Sequence, residues 1–103
     1  MKKALPLFLL ALLLPVITVG QLPDSAEFLA KAAIEESREL NYVKGEADGL
    51  ISLGRIRRER GELAQGLELL FESLELYRQV NDVIQMGNAF NDISIVYAMS
   101  DDY

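Results

Sequence analysis

Apolar residues recur at intervals of three and four along most of the chain after residue 25, and this spacing predicts α-helices. The first helix should end near Asn41, and the second should run over about 46–60. A third helix is predicted over about 63–79, and a fourth should follow Asp82. No stretch alternates apolar and polar residues as a strand does, so we predict an all-α fold.

One apolar stripe on each predicted helix should face the core. Gly54 lies within the second helix, where glycine costs about 1 kcal/mol relative to alanine, so we expect a neighbouring helix to pack closely against it. The stripes are Phe28, Leu29, Ala32, Ala33 and Leu40 in the first helix; Ala47, Leu50, Ile51 and Gly54 in the second; Leu67, Leu70, Phe71, Leu74 and Tyr77 in the third; and Val83, Met86, Phe90, Ile93, Val96 and Tyr97 in the fourth.

Polar residues mark the ends of these helices. Asp24 and Glu27 have the separation of a capping box, and Asp82 and Gln85 repeat it before the fourth helix. Asn41 tolerates the left-handed conformation found at many helix C-termini. The predicted helices therefore have local start and stop signals as well as apolar stripes.

The chain repeats itself with a period of 40 residues. Asn41 and Asn81 each follow a predicted helix and lie 40 positions apart. Leu50 and Phe90 also lie 40 positions apart. Between the two asparagines, Gly61 is predicted to end the second helix. A period of this length is typical of proteins built from repeated helical hairpins.

These residues resemble the tetratricopeptide repeat family over about residues 26–103. The segment 50–54 is similar to the family's first helix, and 61–67 is similar to its turn and the start of its second helix. Residues 90–97 resemble the next first helix, and the Asp-Asp-Tyr sequence at 101–103 resembles the turn that follows it.

The resemblance implies antiparallel helix hairpins stacked as an α-solenoid, of which this chain would be an N-terminal portion that is incomplete at its C-terminus. Arg57 departs from the pattern because an aromatic residue is usual there, and the period exceeds the family's basic length of about 34 residues. Longer periods resemble the arrays of bacterial extracytoplasmic sensor proteins. The implied function is an exported scaffold that binds a protein or peptide partner. The alternative is the sensory region of a membrane-bound histidine kinase or diguanylate cyclase, of which this chain would be a fragment.

The resemblance also implies a binding surface, because the first helices of such hairpins line a concave groove for extended peptides. Arginine can hold a carboxylate with two hydrogen bonds, and asparagine can bond a peptide backbone as donor and acceptor. Arginines near a helix C-terminus also have a structural explanation, namely the helix dipole and pairing with nearby glutamates. The positions that would face the groove are Asp48, Ile51, Arg55, Arg58, Asn88, Asn91 and Ile95.

The N-terminal segment has the three parts of a secretory signal peptide. Two lysines precede an apolar run over 4–19, and small residues precede a cleavage site before Gln21. Residues 1–20 are therefore predicted to be a signal peptide and 21–25 a linker, which places the protein in the periplasm or another extracytoplasmic space. An uncleaved membrane anchor is the alternative. Membrane contact is expected only through this segment.

Composition narrows the possible chemistry. The chain has no cysteine and no histidine, which removes disulfides, thiolate metal sites and the commonest general base. Its net charge of −6 opposes contact with phosphate backbones, so nucleic acid is not an expected partner. We expect no catalytic, cofactor-binding or metal-binding residues, and a free-standing hydrolase has the least support among the function classes.

The predicted fourth helix needs a covering element. Phe90, Ile93, Val96 and Tyr97 have no predicted helix after them, and burying one such side chain contributes about 1.5–3 kcal/mol. We therefore expect a longer array or a truncated reading frame. A small protein that associates through this face is the alternative.

Overall fold

The computed structural model describes residues 25–101, which form four α-helices joined by short turns. Helix α1 spans Ser25–Glu39, α2 spans Val43–Glu59, α3 spans Leu63–Gln79 and α4 spans Val83–Ser100. No strand occurs within this part of the chain, so the all-α prediction is confirmed. The predicted signal peptide, nearly all of the linker and the cap before α1 lie outside the described residues.

The three turns between these helices share one backbone geometry. Asn41, Gly61 and Asn81 have φ angles of 54°, 78° and 57°. In each turn the following N–H donates to the carbonyl five positions earlier, as Tyr42 does to Ser37 at 2.8 Å. This Schellman arrangement satisfies carbonyl groups that a helix end leaves open. The left-handed conformation predicted at Asn41 is confirmed, and Gly61 ends α2 as expected.

Helix α4 begins at a side-chain cap. The carboxylate of Asp82 accepts a hydrogen bond from the backbone N–H of Gln85 at 3.2 Å. This bond, with the Lys44 ammonium 3.2 Å away, holds the pKa of Asp82 below its usual value. The cap is therefore confirmed at Asp82. The reciprocal bond of a capping box does not form, because the Asp82 N–H donates to the carbonyl of Tyr77 at 3.0 Å.

Helix α2 lies at the centre of the described structure. It begins at Val43, earlier than predicted, because the carbonyl of Tyr42 already accepts the N–H of Glu46. It packs against α1 and α3, and it also touches α4. Two apolar clusters result, one of Ala30, Ile34, Leu50 and Leu53, and one of Ala47, Ile51, Leu70, Leu74, Tyr77, Ala89, Ile93 and Val96.

The apolar stripe predicted for α1 is wrong. The helix instead buries Ala30, Ile34 and Ser37. A Cβ placed on Gly49 of α2 would lie only 2.6 Å from the Ile34 side chain, so the two helices approach closely and only narrow side chains fit between them. The residues predicted to be buried are all exposed: Phe28, Leu29, Ala32, Ala33 and Leu40.

The stripes predicted for α3 and α4 are only partly right. Ala89 and Asp92 are buried although neither belongs to the predicted stripe, because α4 turns this narrower side toward α2 and α3. The stripe residues that are buried as predicted are Leu70, Leu74, Tyr77, Ile93 and Val96. The stripe residues that are exposed are Phe71, Val83, Phe90 and Tyr97.

Close helix packing at Gly54 is confirmed. A Cβ at this position would lie 2.9 Å from the Leu70 side chain and 3.3 Å from the carbonyl oxygen of Gly66. In the same interface the Ser73 hydroxyl donates to the carbonyl of Ala47 at 2.8 Å. The absence of a side chain at Gly54 therefore allows α2 and α3 to pack backbone against backbone.

We expect Gly54→Leu to lower the free energy of unfolding by about 1–3 kcal/mol, the usual cost of adding atoms to a packed interface. Gly87→Ala is the matched control, because nothing lies within 4 Å of the added methyl group. The control should raise the free energy of unfolding by about 1 kcal/mol through helix propensity alone. Urea unfolding measures both changes, and a stable Gly54→Leu protein would contradict the close packing.

Candidate functional site

A buried carboxylate joins α2 to α4. Asp92 is 4% exposed, and its two oxygens face two arginines of α2. Arg55 Nε lies 2.7 Å from one oxygen, and Arg58 Nη1 lies 3.1 Å from the other. These paired bonds offset the cost of burying the charge. Sequence reasoning missed Asp92, although an acidic residue within an otherwise apolar helix was a visible signal.

A second polar contact connects α2 with α3 and α4. Tyr77 is fully buried, and its hydroxyl donates to the Asp48 carboxylate. Gln85 Nε2 lies 3.5 Å from the same carboxylate oxygen. Burial, and then the bond to Asp48, raise the pKa of Tyr77 above its usual value. Every buried side-chain polar atom within residues 25–101 has a hydrogen-bond partner.

The residues predicted to face a peptide groove fall into three groups. Ile51 is 4% exposed and belongs to the core. Its position on the inner face of α2 is therefore confirmed, and the prediction that it faces an open groove is wrong. Asp48, Arg55 and Arg58 are partly exposed and make the contacts just described. The exposed members are Asn88, Asn91 and Ile95, of which Ile95 is 38% exposed.

Four of these residues share one surface, which we call the α2–α4 face. Asp48 and Arg55 are seven positions apart on α2, and Asn88 and Ile95 have the same separation on α4, so each pair lies on one side of its helix. The bond from Arg55 to Asp92 holds the two helices side by side. This face therefore combines a cation, an anion, an amide and an apolar side chain.

The exposed groups of the α2–α4 face can form hydrogen bonds with a carboxylate or an amide. Arg55 uses Nε for Asp92, and its side chain is 42% exposed. No described residue accepts a hydrogen bond from its terminal Nη groups, which could therefore bind a carboxylate. Asn88 Nδ2 donates to Gln85 Oε1 at 2.6 Å, which orients the Asn88 side chain.

An open groove of about 820 Å³ lies between α1 and α2. We call it the α1–α2 groove. The sequence does not predict this groove, because the predicted core stripe of α1 includes three residues that line it, Leu29, Ala33 and Leu40. Its lining residues are Ala26, Leu29, Ala30, Ala33, Glu36, Ser37, Leu40, Tyr42, Gly45, Asp48, Gly49, Ser52, Arg55 and Ile56.

Two further arginines near the C-terminus of α2, Arg57 and Arg60, have structural roles. Arg57 and Arg60 donate to Glu27 of α1, the second at 2.9 Å. The bond from Arg60 contributes most to lowering the pKa of Glu27. Arg57 also lies 3.2 Å from Glu62. Pairing with nearby glutamates therefore accounts for these two arginines.

Within residues 25–101, no group of three or more acidic side chains is placed to hold a metal ion. None of the helices in that range combines the length and apolar character needed to cross a membrane. Comparison with known protein families, characterised proteins and solved structures finds no match for the chain.

We expect Tyr77→Phe to lower the free energy of unfolding at pH 7 by about 1 kcal/mol, because a buried hydrogen bond is lost. It should also change the response to alkali. The folded-state pKa of Tyr77 is raised, so its contribution is complete below the unfolded pKa of about 10 and is lost at higher pH.

Urea midpoints measured between pH 7 and pH 11 should therefore fall more steeply for the wild type than for Tyr77→Phe. Tyr97→Phe, at an exposed tyrosine, is the matched control and should keep the wild-type slope. Equal slopes for all three proteins would show that Tyr77 is not held in its protonated form by the fold.

Proposed function

We propose that this chain is an exported interaction scaffold of tetratricopeptide-like helical hairpins. It binds a peptide or protein partner on the α2–α4 face. The observation that carries the proposal is the pairing of Arg55 with Asp92, which places two parallel helices side by side and leaves part of the arginine exposed.

The spacing of the helices supports the hairpin arrangement. The left-handed residues Asn41, Gly61 and Asn81 recur every 20 positions, so helices 40 residues apart run in the same direction. Helix α2 contacts α4 as well as both of its neighbours in sequence. The first helices of successive hairpins are adjacent in this way in a stacked array.

The mixed character of the α2–α4 face supports peptide binding. Arg55 offers a cation to a carboxylate, and Asn88 offers both a donor and an acceptor to a peptide backbone. Ile95 adds an exposed apolar contact beside them. Rigid helices hold all three side chains, which reduces the entropy lost when a partner binds.

The N-terminal segment supports export. Its two lysines, the apolar run over 4–19 and the small residues before Gln21 are the pattern that signal peptidase substrates share. The scaffold would then act outside the cytoplasm. This part of the proposal is independent of the α2–α4 face and has a separate test.

We expect the full chain to select peptides with a free C-terminal carboxylate from a displayed random library. Arg55→Ala should weaken binding of the selected peptides by about tenfold or more, because a hydrogen bond to a charged group contributes about 1.5–3 kcal/mol. Amidation of the peptide should weaken wild-type binding similarly, and the two changes together should add little.

Glu68→Ala is the matched control, since Glu68 is exposed on α3, away from this face. It should leave peptide affinity unchanged, and Asn88→Ala should reduce it. Circular dichroism checks that each variant is folded. The peptide proposal fails if the library yields no binder, or if selected peptides bind Arg55→Ala and the wild type equally well.

We expect the mature protein to begin at Gln21 when the full gene is expressed in bacteria with a general secretory pathway. N-terminal sequencing of the extracytoplasmic fraction measures this directly. An intact N-terminus in the membrane fraction would show an anchor instead of a cleaved signal. An intact chain confined to the cytoplasm would overturn the export proposal.

A further inference from the structure

The α1–α2 groove corresponds to a slot that is already filled elsewhere in the same chain. Helix α2 packs against both α3 and α4. The residues of α3 and α4 in that contact lie 40 positions after the residues of α1 and α2 that line the groove. The groove residues Ala26, Ala30, Ala33, Ser37, Tyr42 and Ser52 correspond in this way to Gly66, Leu70, Ser73, Tyr77, Asp82 and Asp92. The groove is therefore a place where a helix fits.

Helix α4 carries an open face that corresponds to the packed face of α2. Ala47 and Gly54 of α2 contact α3, and their counterparts on α4 are Gly87 and Ser94. Both counterparts are exposed, and nothing lies within 4 Å of a Cβ added to Gly87. The described structure thus has an empty slot at one end and an uncovered helix of the matching kind at the other.

We propose that α4 of one copy binds in the α1–α2 groove of a second copy, head to tail. In this arrangement α1 of the second copy covers the open face of α4, just as α3 covers α2 within one chain. The proposal goes beyond the peptide-binding function, because it names a second copy of this chain as partner.

The distribution of charge favours this occupant. Within the chain, Arg55 and Arg58 of α2 bind Asp92 of α4. In the proposed contact the arginines are replaced by Ile95 and Ala98, and the aspartate is replaced by Ser52. Both members of this ion pair lose their charge together, so neither an arginine nor an aspartate is left without its partner at this position.

A second ion pair within the chain is replaced by two uncharged side chains in the proposed contact. Lys44 and Asp82 lie 3.2 Å apart within the chain. Their counterparts in the proposed contact are Ile84 and Tyr42, which are 79% and 54% exposed. An ionic contact inside the chain thus corresponds to an apolar contact between copies, and both apolar side chains lose exposed surface on association.

At the third contact, both side chains are polar between copies as they are within the chain, but neither is charged. The bond from Tyr77 to Asp48 corresponds to Ser37 opposite Asn88, and both of these side chains can donate and accept hydrogen bonds. A groove that accepts an unrelated helix has no reason to match α4 at three separate contacts. The match therefore favours a second copy of this chain over an unrelated partner.

The chain's own N-terminal apolar run is a less suitable occupant. It is apolar at every position over 4–17. A helix in the groove has one side toward α1 and α2 and another toward water, so such a sequence would expose leucines on its outer side.

Disulfide cross-linking of the full chain in cells tests the contact, and the absence of native cysteine removes background. Ala33→Cys and Gly87→Cys are made in two differently tagged copies, because these positions correspond to the bonded pair Ser73 and Ala47. We expect a mixed disulfide when the two copies are expressed together under mild oxidation. Neither variant alone should give a disulfide-linked dimer, because the position that faces its cysteine in the other copy would have no thiol.

Ala64→Cys paired with Gly87→Cys is the matched control, since Ala64 is exposed on α3 away from both ends. It should give no mixed disulfide. A control yield equal to that of the test pair, or dimers of either single variant, would overturn the head-to-tail contact. Absence of any mixed disulfide from the test pair, including the case in which Ala33→Cys links only to other proteins, would also overturn it.

A second measurement uses charge and does not depend on thiol geometry. Sedimentation of the full chain in a nonionic detergent should show species that grow with concentration. Ala33→Glu and Gly87→Glu should each be monomeric, and their mixture should form a one-to-one dimer and nothing larger, because each partner keeps one intact end. Ala64→Glu should behave as the wild type does. If either single variant still forms larger species, the proposed contact is not the one that joins the copies.

Discussion

The left-handed residue that follows each of the first three helices is the constraint on which the remaining structure depends. Asn41, Gly61 and Asn81 stand 20 positions apart, and each closes the same set of backbone hydrogen bonds. The helices between them are consequently equal in length and antiparallel to their neighbours in sequence. Alternate helices then run in the same direction and touch, which is how an aspartate on α4 meets two arginines on α2.

The sequence predicts features that depend on local chemistry. The ends of α2 and α3 and the cap at Asp82 follow from residues within a few positions of each boundary, so they are readable without knowledge of the partners. The buried face of α1 depends instead on the distance to α2. Gly49 brings that helix so close that Ala30 is buried while Phe28 remains exposed. Residue size alone therefore gives the wrong face.

The candidate binding surface shows the same division. Helical spacing on its own places Asp48 and Arg55 on one side of α2 and Asn88 and Ile95 on one side of α4. It does not show that Arg55 uses its Nε to bind Asp92, because the two residues are 37 positions apart and meet only in the folded chain. The α1–α2 groove was also beyond prediction, since its small residues look the same in sequence whether a neighbouring helix covers them or leaves them open.

Asp92 has a consequence for the alignment of parallel helices. Apolar contacts such as those around Ile51 tolerate sliding, because one aliphatic neighbour can replace another. A shift of α4 along α2 by one helical turn, about 5.4 Å, would carry the carboxylate away from both guanidinium groups while it stayed buried. An isolated buried charge of that kind costs about 3–5 kcal/mol. The aspartate thus acts as an axial lock, which discriminates between neighbouring alignments that hydrophobic packing alone would leave nearly equal in energy.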